Sequence, residues 1–258
     1  MSFKICIPAR LGSTRLPGKV LLDLGGRPMI QWVIEAALRS SADEVVVATD
    51  DAQVAAIAVD GRGRNYAHMT RVDHPSGTDR IAEVARARNW SADTIVVNVQ
   101  GDEPLLPPAL IDQVAALLAK HSQAHIATLC TPIVSIDEFL DPNTVKVVAD
   151  RAQHALYFSR APIPWHRNGA AGDLLTQQLF AGAQRHLGIY AYRVAALLQM
   201  TQIPPSSLEL AEKLEQLRAL ESGMQIVVEE AKEVPGPGVD TEHDLQRART
   251  LLAGGSGR

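Results

Sequence analysis

The sequence predicts an α/β protein built on a mostly parallel sheet with helices on both faces. Three observations predict it. A short apolar run at residues 5–7 ends at Pro8 and opens into a loop of small residues and cations. Apolar runs then alternate with helix-period segments up to about residue 131. A strongly β-forming run at 94–99 carries two acids just beyond its end. Runs of this length suit strands buried on both sides, and short βα connections require right-handed crossovers that cover both faces.

Taken in order, residues 5–8 form the first strand and 9–19 the loop at its carboxyl end, where α/β sheets bind ligands. The turn 25–28 precedes a helix with Met29, Ile30, Val33, Ile34, Ala37 and Leu38 at helical spacing and Pro28 at its start. Residues 44–50 form a second buried strand and 51–59 a helix. A loose turn at 61–64 and a short strand at 66–69 lead to a helix opened by 74–80, with Ser76 or Thr78 as its cap. The run 94–99 is expected to be a central strand. A helix at 110–118 and strands at 125–129, 145–148 and 155–160 follow, but the βα rhythm breaks down from Pro132 onward. Residues 166–184 read as a mobile loop with a short helix, and 186–193 as a strand with aromatic residues on one face. A helix from 204 to Gly223 is expected to bury Leu210, Leu214 and Leu217, with Gly223 ending it. A strand at 225–228, a loop at 235–241 and a helix at 242–252 close the chain. No internal repeat or linker is visible.

At 258 residues the chain can bury a full core, enough for one α/β domain with an insertion. Its 46% hydrophobic and 21% charged residues exclude a disordered class, and a net charge of −4 disfavours nonspecific nucleic-acid binding. The basic loop is therefore local and its guest small. Residues 1–4 lead straight into the first strand, and no apolar run reaches the ~18 residues of a membrane helix. A cytoplasmic protein without membrane partners is expected. Cys6 and Cys130 are widely spaced and read as small core residues, not as a disulfide or zinc pair.

The loop after the first strand carries Arg10, Arg15 and Lys19 among Ala9, Gly12, Ser13, Thr14 and Gly18, a combination suited to a polyphosphate. It is not a Walker A loop, because five residues separate Gly12 from Gly18 and Val20 follows Lys19. The dinucleotide fingerprint is absent as well. On charge alone, a phosphate loop and a solvated basic loop stand as equal readings. Asp102 lies at the carboxyl end of the 94–99 strand, facing the same side as that loop. It reads either as a ligand for a hard cation shared with substrate phosphates or as a turn residue of Gly-Asp-Glu-Pro. His186 and Tyr190 read as core or as pocket residues. Glu215 and Gln216, off the predicted apolar stripe, are solvated or turned toward a pocket. Thr241 with Asp244 makes a capping box, and Asp240 just before it is either part of that turn or a second carboxylate brought round to Asp102.

The pattern P-A-R-x-x-S-T-R-L-P-G-K at residues 8–19 resembles the signature loop of the sugar nucleotidylyltransferases that make CMP-activated acidic sugars, in particular the CMP-Kdo synthetases (Kdo, 3-deoxy-manno-octulosonate). Six further segments agree in sequence and order: S-G-T-D-R at 76–80, N-V-Q-G-D-E-P at 98–104, Y-F-S-R at 157–160, H-L-G-I-Y at 186–190, L-E-Q-L-R at 214–218 and G-V-D-T at 238–241. The resemblance runs from about residue 1 to 250, departing only in the 166–184 loop and the tail.

The resemblance implies a Rossmann-like nucleotidyltransferase sheet with a smaller inserted sugar-binding and dimerisation lobe. It divides one domain, 1–258, into a nucleotide-binding core at 1–131, an inserted lobe at 132–205, a C-terminal return at 206–252 and a flexible tail at 253–258. It implies that Pro8, Ala9, Arg10, Ser13, Thr14, Arg15 and Lys19 hold CTP with Ser76, Thr78, Arg80 and Gln100 bordering it. It further implies that Asp102 and Asp240 bind Mg²⁺, and that Gln100, Arg160, His186, Tyr190, Glu215 and Gln216 surround Kdo. The chemistry implied is attack of the Kdo anomeric hydroxyl on the α-phosphate of CTP, with Asp102, Asp240, Arg15 and Lys19 as the catalytic set, for lipopolysaccharide synthesis by a homodimer. Activation of another acidic sugar (sialic acid or 8-amino-Kdo) and a non-catalytic nucleotide sensor are the rival expectations.

Overall fold

The computed structural model describes residues 2–12, 16–169 and 177–255. Strand β1 (Lys4–Pro8) is joined through the basic loop and a single 3-10 turn (Lys19–Leu21) to α1 (Met29–Leu38). Then come β2 (Glu44–Thr49), α2 (Ala52–Ile57), β3 (Ala67–Met69), α3 (Gly77–Ala87), β4 (Ile95–Asn98), α4 (Pro108–Lys120) and β5 (Ile126–Pro132). Local chemistry sets these boundaries. The Asp51 carboxylate accepts from the Gln53 and Val54 amides to cap α2, and Ser76, of the two expected candidates, caps α3 through the Asp79 amide.

Main-sheet order is β3-β2-β1-β4-β8-β5-β9, which puts β4 at the centre as expected. β1 pairs in parallel with both β2 and β4, and β5 in parallel with β9 (Ile226–Glu230). Along this path, among the described residues, β8 (Gln184–Arg193) alone runs against its neighbours, β4 and β5. The pleat sends alternate residues of β1 into two cores. Ile5 and Ile7 pack with Ile30, Val33, Leu110 and Val114 of α1 and α4. Cys6 packs with Ile81 and Val84 of α3 on the other face. Both cysteines are free and buried.

The region after Pro132 differs from expectation in two respects. The 132–205 stretch is not wholly an inserted lobe, because β8 lies inside it and is a full strand of the main sheet. What stands off the main path is the antiparallel pair β6 (Lys146–Ala149) and β7 (Ala155–Ser159), joined to the N-terminal end of β8 through β6. The short helices α5 (Ile136–Leu140) and α6 (Val194–Met200) also fall within it.

The single helix expected from 204 to 223 is two, α7 (Ser207–Glu212) and α8 (Gln216–Glu221). Lys213 adopts a left-handed conformation, φ 55°, and ends the first. The Arg218 guanidinium then clasps the Glu209 carboxylate with two hydrogen bonds of 2.7 Å, folding α8 back onto α7. Leu214 and Leu217 are buried as expected, but the break leaves Leu210 55% exposed. The last helix, α9 (Glu242–Gly255), begins with the predicted capping box: Asp244 N donates to Thr241 Oγ1 at 3.2 Å, and Thr241 N to the Asp244 carboxylate at 3.0 Å.

Candidate active site

The carboxyl ends of β1 and β4, the N-terminus of α3 and the loop before α9 enclose a cleft of about 350 Å³. It is lined by Pro8, Ala9, Arg10, Gly12, Lys19, Val20, Ser76, Gly77, Arg80, Gln100, Gly101, Asp102 and Asp240. Most of the residues expected to meet the nucleotide therefore share one cavity. Thr78 does not line it. Its buried side chain faces Glu215 and Tyr192 instead. Ser13, Thr14 and Arg15 lie outside the described residues.

Backbone proximity closes the cleft floor. A Cβ on Gly101 would stand 3.1 Å from the Pro8 carbonyl oxygen, and one on Gly77 3.3 Å from the Pro8 ring. Only bare backbone lets β1, the β4 loop and α3 approach this closely. The N-terminal turn of α3 is thereby brought to the cavity wall, where its helix dipole favours an anion.

Arg80 is only 3% exposed. Its guanidinium donates to Asp50 at 2.9 Å and also to Thr70, so it braces the wall rather than presenting an unpaired charge. Lys19 has two carboxylate partners: its ammonium donates to Asp102 and, at 2.8 Å, to Asp240. Burial alone would lower the Lys19 pKa, but the pull of Asp102 and then Asp240 more than offsets it, and the net shift is upward. The ammonium stays charged at neutral pH.

Two carboxylates from separate loops converging on one cation are a donor set suited to a hard ion such as Mg²⁺. Among the described residues no group of three or more His, Cys, Asp or Glu forms a metal cluster. Asp102 and Asp240 would thus hold such an ion jointly with substrate oxygens. Glu103, which sequence reasoning left unassigned, stands next to them. Burial, then the charges of Asp102 and Asp240, push its carboxyl up to about 7 against the opposing pull of Arg185. The Asp-Glu pair was visible in the sequence, but its unequal environments were not.

Of the residues expected on the sugar side, Gln100 lines this cleft, whereas Arg160, His186, Tyr190, Glu215 and Gln216 do not. His186 and Tyr190 share one face of β8 with their ring centroids 5.2 Å apart, and Phe158 stands edge-on to His186 at 4.9 Å. The His186 ring nitrogen Nε2 lies 3.0 Å from Thr128 Oγ1, and burial lowers its pKa to about 3, which keeps it neutral. Tyr190 stacks on Tyr192, which with Glu215 surrounds Thr78. Glu215 lines a second cavity of about 520 Å³ together with Ser76, the residue common to both cavities. Gln216 is buried at the start of α8. Arg160 is held by the Glu212 and Pro142 carbonyls at 2.7 and 2.9 Å.

A parallel sheet whose carboxyl end gathers a lysine, two carboxylates and a helix N-terminus in one polar cleft defines a nucleotidyltransferase type of α/β protein. A family model described as Cytidylyltransferase covers residues 5–226. The 3-deoxy-manno-octulosonate cytidylyltransferase of Thioalkalivibrio sulfidiphilus is 54% identical over 98% of this chain and 99% of its own. That of Alcanivorax borkumensis is 52% identical over 98% and 100%. The solved structure of CMP:2-keto-3-deoxy-manno-octonic acid synthetase complexed with CTP superposes with a TM-score of 0.87 at 44% identity, over 98% of this chain and 99% of that one. A cytidylyltransferase from Leptospira borgpetersenii, 17% identical with a TM-score of 0.60 over 98% of this chain and 86% of that one, shares the fold. The chain belongs to the cytidylyltransferase family, and within it to the 3-deoxy-manno-octulosonate cytidylyltransferases.

Proposed function

We propose that this chain transfers CMP from CTP to the anomeric hydroxyl of Kdo, giving CMP-Kdo and pyrophosphate for lipopolysaccharide assembly. The observation that carries the reading is the convergence of Lys19, Asp102 and Asp240 in a cleft walled by the N-terminus of α3.

In this reading Arg10, Lys19 and Arg15 bind the triphosphate, and the α3 N-terminus adds its partial positive charge. Pro8, Ala9, Ser13, Thr14, Ser76, Arg80 and Gln100 shape the nucleotide pocket, with Arg80 acting through its buried pair with Asp50, and Thr78, off the cleft, acts through Tyr192 and Glu215. Asp102 and Asp240 hold Mg²⁺, which when bound neutralises charge at the α-phosphate and acidifies the attacking hydroxyl. Lys19 and Arg15 stabilise the charge that develops on the departing pyrophosphate. Gln100, Arg160, His186, Tyr190, Glu215 and Gln216 orient the sugar, and joint binding of both substrates supplies most of the remaining acceleration. His186, being neutral, contributes a hydrogen-bonding ring rather than a charge. We place the β6–β7 pair and the segment after it on the sugar side, and take the working protein to be a cytoplasmic homodimer.

The test is pyrophosphate release by the purified protein with Mg²⁺, comparing CTP with other nucleotides and Kdo with sialic acid and 8-amino-Kdo. Release that requires CTP, Kdo and the metal together is the expected result. Release with another acidic sugar alone would retain the nucleotide site and overturn the sugar reading. CTP binding without release for any acceptor would make the protein a sensor.

A further inference from the structure

Lys19 reaches the cleft from the end of the loop expected to grip phosphates, yet its ammonium donates to Asp102 and Asp240. Lys19, Asp102 and Asp240 side chains are 12%, 28% and 47% exposed, so the cation is the most enclosed of the three. Two carboxylates drawn this close repel each other unless a positive charge lies between them. The ammonium supplies it, and thereby engages both of the carboxylates that would hold a divalent ion. A lysine stem is long and flexible with three donors at its tip, so it can redirect to a phosphate without a backbone shift. Ala9, Arg10 and Gly12 line the same cavity beside it.

We propose that Lys19 is a built-in counter-ion for the metal carboxylates of the nucleotide-free enzyme, competing with the divalent ion for one position between Asp102 and Asp240 and leaving it when the triphosphate binds. The inference rests on the reading of those two residues as metal ligands. Its consequence is an order of events. The free protein binds the divalent ion weakly, CTP draws Lys19 away, and the carboxylates, already gathered on one ammonium, then take the ion without having to be brought together. Lys19 thus couples nucleotide to metal in addition to contacting phosphate.

Mn²⁺ binding to the nucleotide-free protein, read from loss of the free-ion electron paramagnetic resonance signal, tests this without turnover. Lys19→Met, which removes the charge and keeps the stem, is expected to bind Mn²⁺ about tenfold more tightly than the natural protein. Lys19→Gln should repeat the gain, and adding Asp102→Asn to Lys19→Met should abolish it. Arg10→Ala, which removes a cation from the same cleft without touching either carboxylate, should leave Mn²⁺ affinity unchanged. An unchanged affinity in both Lys19 variants overturns the competition. An equal gain in Arg10→Ala overturns it too, by showing a general field effect. The metal-ligand reading is checked separately in the CTP-saturated protein: if Asp102→Asn retains Mn²⁺ there as the natural protein does, that reading fails and the competition fails with it. If Asp102→Asn loses Mn²⁺ there while the Lys19 variants gain nothing, only the competition is overturned.

Discussion

Lys19 and Asp240 stand 221 positions apart in the chain and 2.8 Å apart in the fold, joined by an ammonium–carboxylate hydrogen bond. Asp102 completes the contact from a third segment. Chemistry at this junction falls on the transition state more than on the fold, because a partly exposed ion pair contributes little to stability. Asp102→Asn is expected to lower kcat at least about 100-fold. Its Tm should stay within about 3 °C of the natural protein. Lys19→Ala should weaken CTP binding and turnover together. Steady-state kinetics and a thermal melt check both, and near-normal turnover in Asp102→Asn, or a change confined to the Kdo KM in Lys19→Ala, would contradict the assignment.

Gly101 is where the β4 loop meets β1, and the strand cannot yield to a side chain there. The Val99 amide donates to the Cys6 carbonyl and the Ala9 amide to the Ala48 carbonyl, holding β1 from both sides of the 3.1 Å approach to Pro8. Gly101→Ala is expected to cost about 1–3 kcal/mol of stability through overpacking. It should also weaken CTP binding several-fold. An alanine variant with unchanged CTP affinity would show that the floor of the cleft is more pliable than its geometry indicates.

Arg160 offers a sharper test of the sugar side. Its guanidinium is tethered to two backbone carbonyls, Glu212 and Pro142, so truncation removes both a charge and a clamp between the segment after α5 and α7. Arg160→Ala should raise the Kdo KM while leaving CTP binding in place, and Arg160→Lys should recover little of the loss because an ammonium cannot reproduce the planar fork. An unchanged sugar KM would move Arg160 out of the site.

Burial lowers the His186 pKa to about 3. Between that value and the ~6.5 of an unfolded chain, the unfolded state binds the extra proton, so stability falls as pH drops from about 6.5 toward 3. The loss has an upper limit of about 1.4 kcal/mol per pH unit from this residue. His186→Phe should flatten that decline in urea melts at pH 4, 5 and 7 and should raise the Kdo KM. Because His186 does not change charge between pH 5 and 8, an acidic limb in the natural pH–rate profile that vanishes in His186→Phe would contradict a neutral role.

Glu209 has the opposite sign to a buried neutral group. Burial would raise its carboxyl, but the clasp of Arg218 and the Ser206 amide outweigh burial and hold it below the usual carboxylate range. Its contribution is present above the unfolded value of about 4.3 and is lost as pH falls through the lower folded value. Glu209→Gln should destabilise by about 1–3 kcal/mol at pH 7, with the gap to the natural protein closing in acid. A gap of equal size at pH 3 would point to lost packing rather than the ion pair.

What the sequence alone determined was local. Burial of residues 5–7 and 95–99, a cap at Ser76 or Thr78, the capping box at Thr241 and the stop at Gly223 follow from apolar period and side-chain-to-backbone hydrogen bonds within a few positions, and those signals do not depend on the rest of the chain. Asp240 was ambiguous on its own, because Thr241 and Asp244 explain that turn fully, and only family likeness joined it to Asp102. The tertiary structure decided the rest. It reversed β8 between β4 and β5, split the helix at Lys213 because Arg218 reaches back to Glu209, committed Arg80 to Asp50, and set Lys19 between two carboxylates. Each of these is a contact between distant segments, governed by strand register and by competition among charges for partners, and neither is written in the spacing of residues along one stretch of chain.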